Sequence, residues 1–526
     1  MVHPQGVSTR IFIVLARKMV YTSRPDAFLW AAFVDPGAAK VHNASETGPN
    51  QMLKTDSDIN DSLVTCQTGQ GAEVRAGLLH LTRYLAAFEI YNPDLTLCTS
   101  EVLGDFRIVL NSHMAFSGRA VVSKLVNTGT MIVCEAKLDE AGFNGDFLSA
   151  WNGGPPLGEY FASFLSQWQK LYRVRPEFKV VAADMQTFLA DLRLWLEQAE
   201  LEIRSAPAGD RVEMERYAAR ELGEAMVPAF DALHERLEDL SERIEEELRP
   251  VHQSFAKRQL HPLVMCSPFA YRTYHKPLGY AGDYEMVNMI ARDPYEGGSL
   301  FAKVMNLWFL SQWPARAHRH RIQYLKELLV QESLRAARLG RPLRVLNLGC
   351  GPAREVQEFL AQSPLCDDAQ FTLLDFNEET VLHASRALEE IKRRYGRRTL
   401  IQVQKKSVQH VLKESIKPVP GAGGKHYDLI YCAGLFDYLP DRTCRQLMNI
   451  FYDWLAPGGL VAGTNVDACK PFRHMLEFVL DWHLIYRNPN TAAVLLPGRA
   501  GAEDKTIKTD PTGVNLFLEA RKPDHV

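Results

Sequence analysis

The residues that could do chemistry are grouped around a short glycine loop in the second half of the chain. A run of aliphatic residues leads into Gly349-Cys350-Gly351, and Pro352 stands where a helix would begin. Glycine lets the backbone approach a bound molecule closely, because there is no side chain to collide with it. A pyrophosphate-binding loop would have a third glycine at the position of Arg354. The loop therefore favours a cofactor that presents a small zwitterion and a ribose.

A carboxylate follows the next predicted strand. Residues 371–374 are apolar or β-branched, and Asp375 comes directly after them. A carboxylate at the tip of the second strand of such a sheet can accept hydrogen bonds from both hydroxyls of a ribose. The glycine loop and Asp375, in this order, therefore predict one site at the ends of two neighbouring strands.

The elements that would position these residues alternate as in a parallel α/β sheet. A Pro-Gly-Gly segment, residues 457–459, precedes the fifth strand. Further elements predicted after Asp375 are a helix over 380–394, strands over 400–403 and 427–432, a helix over 442–455, a strand over 460–465 and a closing hairpin over 506–509 and 514–518. The prediction is a Rossmann-like α/β domain at the C-terminus.

The loop, the strand-end acid and the Pro-Gly-Gly segment together resemble the class I S-adenosylmethionine-dependent methyltransferases, from about residue 343 to the C-terminus. The resemblance implies a seven-stranded sheet, S-adenosylmethionine as the cofactor and transfer of a methyl group. The cofactor-binding residues it implies are Gly349, Cys350 and Gly351 at the methionine, Asp375 and Phe376 at the ribose, Ser407 and Val408 at the adenine, and Cys432 and Ala433 at the sulfonium.

An aromatic segment, residues 271–286, precedes this domain and is predicted as an irregular loop. Such a loop is typical of a buried junction or of the wall of a binding site. Its glycines allow a tight turn against a ligand, and Asp283 can accept hydrogen bonds. Residues 276–286 are similar to a motif of bacterial enzymes that make the methyl ester of 3-hydroxypalmitic acid, a signal termed the extracellular factor. The candidate catalytic residues are Tyr280, Asp283 and Tyr284.

The class of methyl acceptor is inferred from how few side chains could act as a general base. An alcohol or amine needs a group that takes its proton, whereas a carboxylate, with an ordinary pKa of about 4, arrives deprotonated. His320, His474 and His483 are candidate bases, but each is more typical of a structural histidine. We therefore expect carboxyl O-methylation of a 3-hydroxy fatty acid. A predicted last long helix would hold its chain and carboxylate through Trp482, Tyr486 and Arg487.

Short β-type runs over residues 85–138 predict a small barrel in the first third of the chain. The block is similar to the PilZ-type barrels that bind cyclic di-GMP in bacteria. Those barrels use an Arg-x-x-x-Arg segment and an Asp/Asn-x-Ser-x-x-Gly strand, but Arg75 and Arg83 have a different spacing and that strand motif is missing. We expect a structural or docking role for the barrel, without binding of that nucleotide in the usual way.

The 526 residues predict several domains. A stripe formed by Leu233, Leu237, Leu240, Ile244 and Leu248 indicates either core or a dimer contact. The predicted parts are a poorly ordered leader over 1–65, the barrel over 66–150, a helical region over 155–260, a cap or substrate segment over 261–335 and the methyltransferase domain over 336–526.

The composition argues against several classes of binding partner. A net charge of −3 and the absence of a basic patch argue against nucleic acid. Nine cysteines without a Cys-x-x-Cys pair predict neither a metal site nor a disulfide framework, and reduced thiols favour a cytoplasmic protein. No apolar run approaches the roughly 20 residues of a membrane helix. Two alternatives stay open, namely a sensor that binds the cofactor or a nucleotide without turnover, and a methyltransferase that acts on another small molecule.

Overall fold

The computed structural model describes residues 63–416 and 426–524, apart from 70, 83, 91–94, 96, 111–112, 128–131 and 140–172. Nearly all of the predicted leader, and Arg83, lie outside the described residues. The described part forms a barrel, a helical region and an α/β domain in chain order, as the sequence predicts. Among the described residues, no helix is long and apolar enough to cross a membrane.

The barrel closes through six antiparallel strands in the order β1-β2-β3-β6-β5-β4. Alternate side chains fill its interior, and the rings of Phe88, Phe106 and Phe116 are fully buried there. The small barrel predicted from the sequence is confirmed, although its first two strands were not predicted. The strands are β1 (Leu63–Gln67), β2 (Glu73–Leu81), β3 (Leu85–Ile90), β4 (Val102–Leu110), β5 (His113–Asn127) and β6 (Ile132–Leu138).

Among the described residues, six α-helices build the region between the barrel and the α/β domain. The stripe predicted as core or dimer contact packs into its core, because Leu237 and Ile244 are buried and the other three leucines pack against the same cluster. The helices are α1 (Pro176–Ser205), α2 (Arg211–Glu242), α3 (Arg249–Val264), α4 (Pro268–His275), α5 (Tyr284–Ala291) and α6 (Leu300–Ser311).

The aromatic segment is more regular than predicted. It covers the end of α4 and the start of α5, which are joined by residues 276–283. Ser267 caps α4 by accepting a hydrogen bond from the Ala270 amide, and Asp283 caps α5 by accepting one from the Met286 amide. These two N-cap residues explain why a stretch with many rings and glycines still forms helices at both ends.

A long helix, α7 (Trp313–Arg338), leads into a seven-stranded sheet of order β12-β13-β11-β10-β7-β8-β9. All neighbours are parallel except β13, which is antiparallel to β11 and β12. The predicted Rossmann-like domain with its closing hairpin is therefore confirmed. The strands are β7 (Leu343–Leu348), β8 (Ala369–Asp375), β9 (Leu400–Lys405), β10 (Tyr427–Cys432), β11 (Leu455–Val466), β12 (Lys505–Thr509) and β13 (Asn515–Arg521).

The helices around the sheet are α8 (Arg354–Gln362), α9 (Glu378–Tyr395), α10 (Val408–Ile416), α11 (Asp441–Trp454) and α12 (Pro489–Ala493). The last long helix, predicted to carry the acceptor, is absent from residues 472–488. That stretch has one π-helical turn, Met475–Val479, and is irregular afterwards. Asp481 has a φ of 48°, and this left-handed conformation prevents the turn from continuing as a helix.

The barrel is attached to both other parts. The Val102 amide donates to the carbonyl of Gly279 at 2.6 Å, and the Ser100 hydroxyl donates to the carbonyl of His483 at 2.8 Å. Arg119 forms an ion pair with Asp481 at 3.2 Å. These contacts place one end of the barrel against the irregular stretch that follows β11.

Candidate active site

One cavity extends from the carboxyl ends of β7, β8 and β10 to the barrel. The carboxyl ends of parallel strands meet at one edge of a sheet, where α/β proteins bind ligands. Most of the site residues predicted from the sequence line this cavity. They are Tyr280, Tyr284, Gly349, Cys350, Gly351, Asp375, Phe376, Val408, Ala433, Trp482 and Tyr486.

The glycine loop has the open backbone that its sequence predicts. Gly349 and Gly351 have φ values of 73° and 52°, a region that glycine tolerates best. The amides of Gly349 and Cys350 donate to the carbonyl of Leu374 at 2.8 and 3.0 Å, which fixes the loop against the end of β8. A Cβ built on Gly351 would meet no atom within 4 Å. The loop therefore leaves room for a ligand beside its backbone.

Asp375 lies next to this loop. Its Oδ2 accepts a hydrogen bond from the Gly351 amide at 3.1 Å, and its Oδ1 accepts one from the Asn377 amide at 3.0 Å. Burial raises the pKa of the carboxyl to about 6, against these two donors, which lower it. Each carboxylate oxygen keeps a second lone pair, so the group can still accept the two hydroxyls of a ribose. The ring of Phe376 lies 5.1 Å from that of Tyr280 beside it.

Two predicted cofactor residues lie behind the cavity wall. The Ser407 hydroxyl is 2.8 Å from Nδ1 of His410, and Lys406 and Val408 line the cavity in its place. Cys432 is fully buried at the end of β10, and Ala433 lines the cavity instead. At both places the neighbouring residues, and not the predicted ones, belong to the cavity lining.

Asp283 also differs from its predicted catalytic role. Its carboxylate is 1% exposed, caps α5 and lies 2.8 Å from the guanidinium of Arg272 in an ion pair. The side chain does not belong to the cavity lining. Tyr284 does line the cavity, but its hydroxyl donates to Glu379 at 2.8 Å on the exposed side. Within the predicted catalytic set, Tyr280 is therefore the residue whose position fits a direct role best.

Arg487 is placed away from the predicted substrate carboxylate. Its guanidinium donates to Asp441 and to the carbonyls of Phe436 and Leu439, at distances of 2.7 to 2.9 Å, and also contacts Asn465. The side chain is buried and lies outside the cavity lining. These contacts show that Arg487 connects β11 to the start of α11. The segment that carries it is irregular, where the sequence predicted a helix.

A different arginine supplies a positive charge to the cavity. Arg321 on α7 lines it, and a Cβ built on Gly434, just beyond β10, would lie 2.9 Å from its Nη1. Among the described residues, the hydrogen-bond partner of this guanidinium is the ring of His318, 3.0 Å away. Burial and the neighbouring arginines hold the pKa of His318 well below its usual range, so that the imidazole stays neutral.

Aromatic side chains enclose the acceptor end. The indole of Trp482 donates to the hydroxyl of Tyr438 at 3.0 Å, and both residues line the cavity. The hydroxyl of Tyr486 is buried and has no hydrogen-bond partner among the described residues. Apolar members of the same wall are Met286, Ile290, Phe309, Phe472, Leu476 and Leu484.

The three candidate histidines lie outside the cavity lining. His320 is held by Asp510 at 2.8 Å and His474 by Glu238 at 3.0 Å, while His483 lies beneath the barrel loop that contains Ser100. Asp437, beyond the end of β10, is an acidic residue of the cavity lining and accepts a hydrogen bond from the Val466 amide at 2.7 Å. Within the described part of the chain, no cluster of ligating side chains could hold a metal ion.

Four barrel residues complete the lining: Gly69, Cys98, Thr99 and Glu101. Their presence at this site is not predictable from the sequence, because about 250 to 280 residues separate them from the glycine loop. Arg321 follows Arg316 and Arg319 closely in the sequence, and nothing in its spacing distinguishes it from them. Both contributions depend on tertiary packing.

The strand order, the glycine loop and the strand-end carboxylate give the C-terminal domain the fold of the class I S-adenosylmethionine-dependent methyltransferases. Residues 346–461 match the family model described as a methyltransferase domain. None of the curated proteins compared with the sequence matches it.

Several solved structures are similar to parts of the chain. One is a possible exported protein from Bordetella parapertussis, with 19% identity, 48% of this chain and 86% of that chain covered, and a TM-score of 0.37. Another is the magnesium protoporphyrin IX methyltransferase of Synechocystis PCC 6803 with bound S-adenosylhomocysteine, with 15% identity, 40% and 88% covered, and a TM-score of 0.29. A third is the N-methyltransferase NodS of Bradyrhizobium japonicum WM9, with 17% identity, 48% and 99% covered, and a TM-score of 0.27.

The cofactor of this class is S-adenosylmethionine, and the residues present fit it. Open space faces Gly351, and Asp375 keeps acceptor capacity for a ribose. In addition, Oδ1 of Asn347 and Nε of Arg354 are buried beside the loop without hydrogen-bond partners among the described residues. Unpaired buried polar atoms in a cavity wall indicate that a ligand supplies their partners.

Proposed function

We propose that the chain is an O-methyltransferase that converts the carboxylate of an acid with an apolar chain into a methyl ester, with a long-chain 3-hydroxy acid as the first candidate. The observation that carries the proposal is the position of Arg321, a guanidinium that faces a mainly apolar cavity next to Gly434. A guanidinium pairs favourably with a carboxylate. The resemblance of residues 276–286 to the enzymes of the extracellular factor supports the hydroxy acid.

The chain's own residues would bind and orient the acceptor. When bound, S-adenosylmethionine supplies a methyl group on a positively charged sulfur. The acid is already deprotonated near neutral pH, so the residues need only hold it in line and exclude water. Such positioning can contribute up to roughly 7–11 kcal/mol of the barrier in favourable cases. Arg321 holds the charged end in this proposal, while Trp482 and Tyr438 exclude water from it.

Asp437 favours a second candidate, an alcohol or amine acceptor. Such a group must lose a proton during transfer, and a carboxylate beside it can take that proton. Burial raises the pKa of Asp437. A higher pKa makes a carboxylate a better proton acceptor, so this residue would be the base for that acceptor class.

The test is methyl transfer by the purified full chain, first with long-chain 3-hydroxy acids and then with amines, phenols and alcohols. In Arg321→Gln, we expect the KM for the acid to rise at least tenfold, while cofactor affinity measured by calorimetry stays the same. Arg316→Gln is the matched control, because Arg316 is exposed on the same helix and stacks on Trp313 at 4.8 Å.

Two results would contradict the proposal. Methylation confined to amines, phenols or alcohols would favour the candidate with Asp437 as the base. If Arg321→Gln loses cofactor affinity as strongly as it loses affinity for the acid, this arginine binds the carboxylate of the cofactor itself. Arg321 would then give no reason to expect an acidic acceptor.

A further inference from the structure

The barrel presents a rigid loop, residues 97–101, to the acceptor end of the cavity. Glu101 is buried, and its two carboxylate oxygens accept hydrogen bonds from the amides of Gly69, at 2.7 Å, and Cys98, at 2.9 Å. Ser100 has a φ of 63°, a strained conformation for a residue with a side chain. A buried carboxylate that binds backbone on both sides holds this loop in one shape.

Thr99 lies at the centre of that loop. The residue is 5% exposed and belongs to the cavity lining, and its hydroxyl is buried without a hydrogen-bond partner among the described residues. A buried hydroxyl without a partner is costly, and such groups in native structures call for a physical explanation. A ligand in the cavity that carries a polar group would supply the missing partner.

The loop is connected to the aromatic wall opposite the sheet. Ser100 donates to the carbonyl of His483 and also accepts a hydrogen bond from the His483 amide. Arg119 of β5 and Lys257 of α3 both pair with Asp481, which directly precedes Trp482. Hydrogen bonds to His483 and ion pairs to Asp481 therefore hold the residues on both sides of Trp482, which itself lines the cavity.

We propose that the barrel is a built-in part of the acceptor site, in which Thr99 determines specificity by a hydrogen bond to the hydroxyl group on the chain of an apolar acid. This inference rests on the proposed function for the identity of the acid. Thr99 takes no part in the methyl transfer. It selects among acids of equal length by the presence of that hydroxyl group.

The first experiment compares a 3-hydroxy acid with the unsubstituted acid of the same length, using the full chain. Thr99→Val removes the hydroxyl at nearly constant volume, whereas Thr99→Ser keeps it. We expect the ratio of kcat/KM for the two acids to fall at least tenfold in Thr99→Val and to be largely kept in Thr99→Ser, with unchanged cofactor affinity. An unchanged ratio in Thr99→Val would overturn the proposal.

The second experiment decides the role of the barrel even if neither acid is an acceptor, a result that would refute only the proposed function. Cell extract is supplied with methyl-labelled S-adenosylmethionine and each variant. Thr99→Trp should fill the cavity wall and abolish labelled product, whereas Arg107→Trp, at an exposed position of β4, should not. Thr99→Leu is the smaller substitution if Thr99→Trp does not fold. Full labelling by folded Thr99→Trp or folded Thr99→Leu would overturn the inference.

Discussion

The two ends of the cavity are built in different ways. The cofactor end is formed by residues that follow one another along the α/β domain, from the glycine loop to the ends of β8 and β10. The acceptor end combines the barrel loop, the segment between α4 and α5, a side chain of α7 and the irregular stretch after β11. A cofactor common to a class requires a constant arrangement, whereas an acceptor site can be assembled from whatever elements pack above it.

The forces that hold the two ends also differ. At the cofactor end, backbone conformation does the positioning, through the positive φ values of Gly349 and Gly351 and the amides that reach Leu374 and Asp375. At the acceptor end, side chains from separate parts form hydrogen bonds and ion pairs around Asp481. Variants should therefore affect cofactor affinity at one end and acceptor use or stability at the other.

The largest expected effect is at the glycine loop. Gly349→Val places a β-branched side chain at a φ of 73°, and Asp375→Ala removes the carboxylate that we expect to accept the ribose hydroxyls. We expect both variants to lose at least 100-fold in affinity for S-adenosylmethionine, measured by calorimetry. Gly340→Val is the matched control, because Gly340 has a φ of 67° but lies after α7, outside the cavity lining.

This control distinguishes the effect of backbone strain on stability from an effect on cofactor binding. Gly340→Val should lower the melting temperature while leaving cofactor affinity unchanged. If Gly349→Val and Asp375→Ala both bind the cofactor as tightly as the unchanged protein, the glycine loop is not the cofactor site, and the contrast between the two ends has no basis.

The cofactor end could be predicted because its signals are local in sequence. Glycines after a strand and an acid at the end of the next strand place Gly351 and Asp375 at one sheet edge without knowledge of the rest. Thr99 and Arg321 could not be found in this way, because their roles depend on how a barrel and a helix pack on the sheet. Trp482 was placed in the cavity although its element was predicted wrongly, since a ring in a loop can reach the same wall.

Asp283 and Tyr280 provide an intermediate test, since both are predicted from the sequence as catalytic residues. Asp283→Asn keeps a cap for α5 but leaves Arg272 without its charge partner. Breaking a buried ion pair typically costs about 3–5 kcal/mol, and we expect a value toward the lower end because Arg272 is partly exposed. The melting temperature should fall, and activity should fall in proportion to the folded fraction.

Tyr280→Phe should behave in the opposite way. Its ring lines the cavity beside Phe376, so the ring packing stays while the hydroxyl is lost. We expect an almost unchanged melting temperature and at least a tenfold loss of turnover, or about 1.4 kcal/mol in the barrier. If Asp283→Asn keeps its stability but loses turnover, Asp283 acts in the chemistry and our assignment of it as a structural residue is wrong.

The smallest expected effect is the pH dependence of cofactor affinity. Burial raises the pKa of Asp375 to about 6, so its carboxylate becomes protonated as the pH falls through that value. The protonated group loses its charge and part of its acceptor capacity toward a ribose. If only the ionised form binds, affinity at pH 5 should be about tenfold below its value at neutral pH. Cys350 and Tyr280, the neighbouring groups, have pKa values raised by burial and stay protonated over this range.

The stability of the cofactor-free protein should change in the other direction through the same group. A pKa that is higher in the folded than in the unfolded chain means that the folded form binds the proton more readily, so this carboxyl favours folding more at pH 5 than at pH 7.

Calorimetric titration between pH 5 and 8 measures the cofactor affinity directly. Turnover is a poorer readout, because burial raises the pKa of Glu101, at the acceptor end, to about 7. Asp375→Asn should bind weakly at every pH. A pH profile that is the same in this variant and in the unchanged protein would assign the titration to another residue and remove Asp375 from the ribose site.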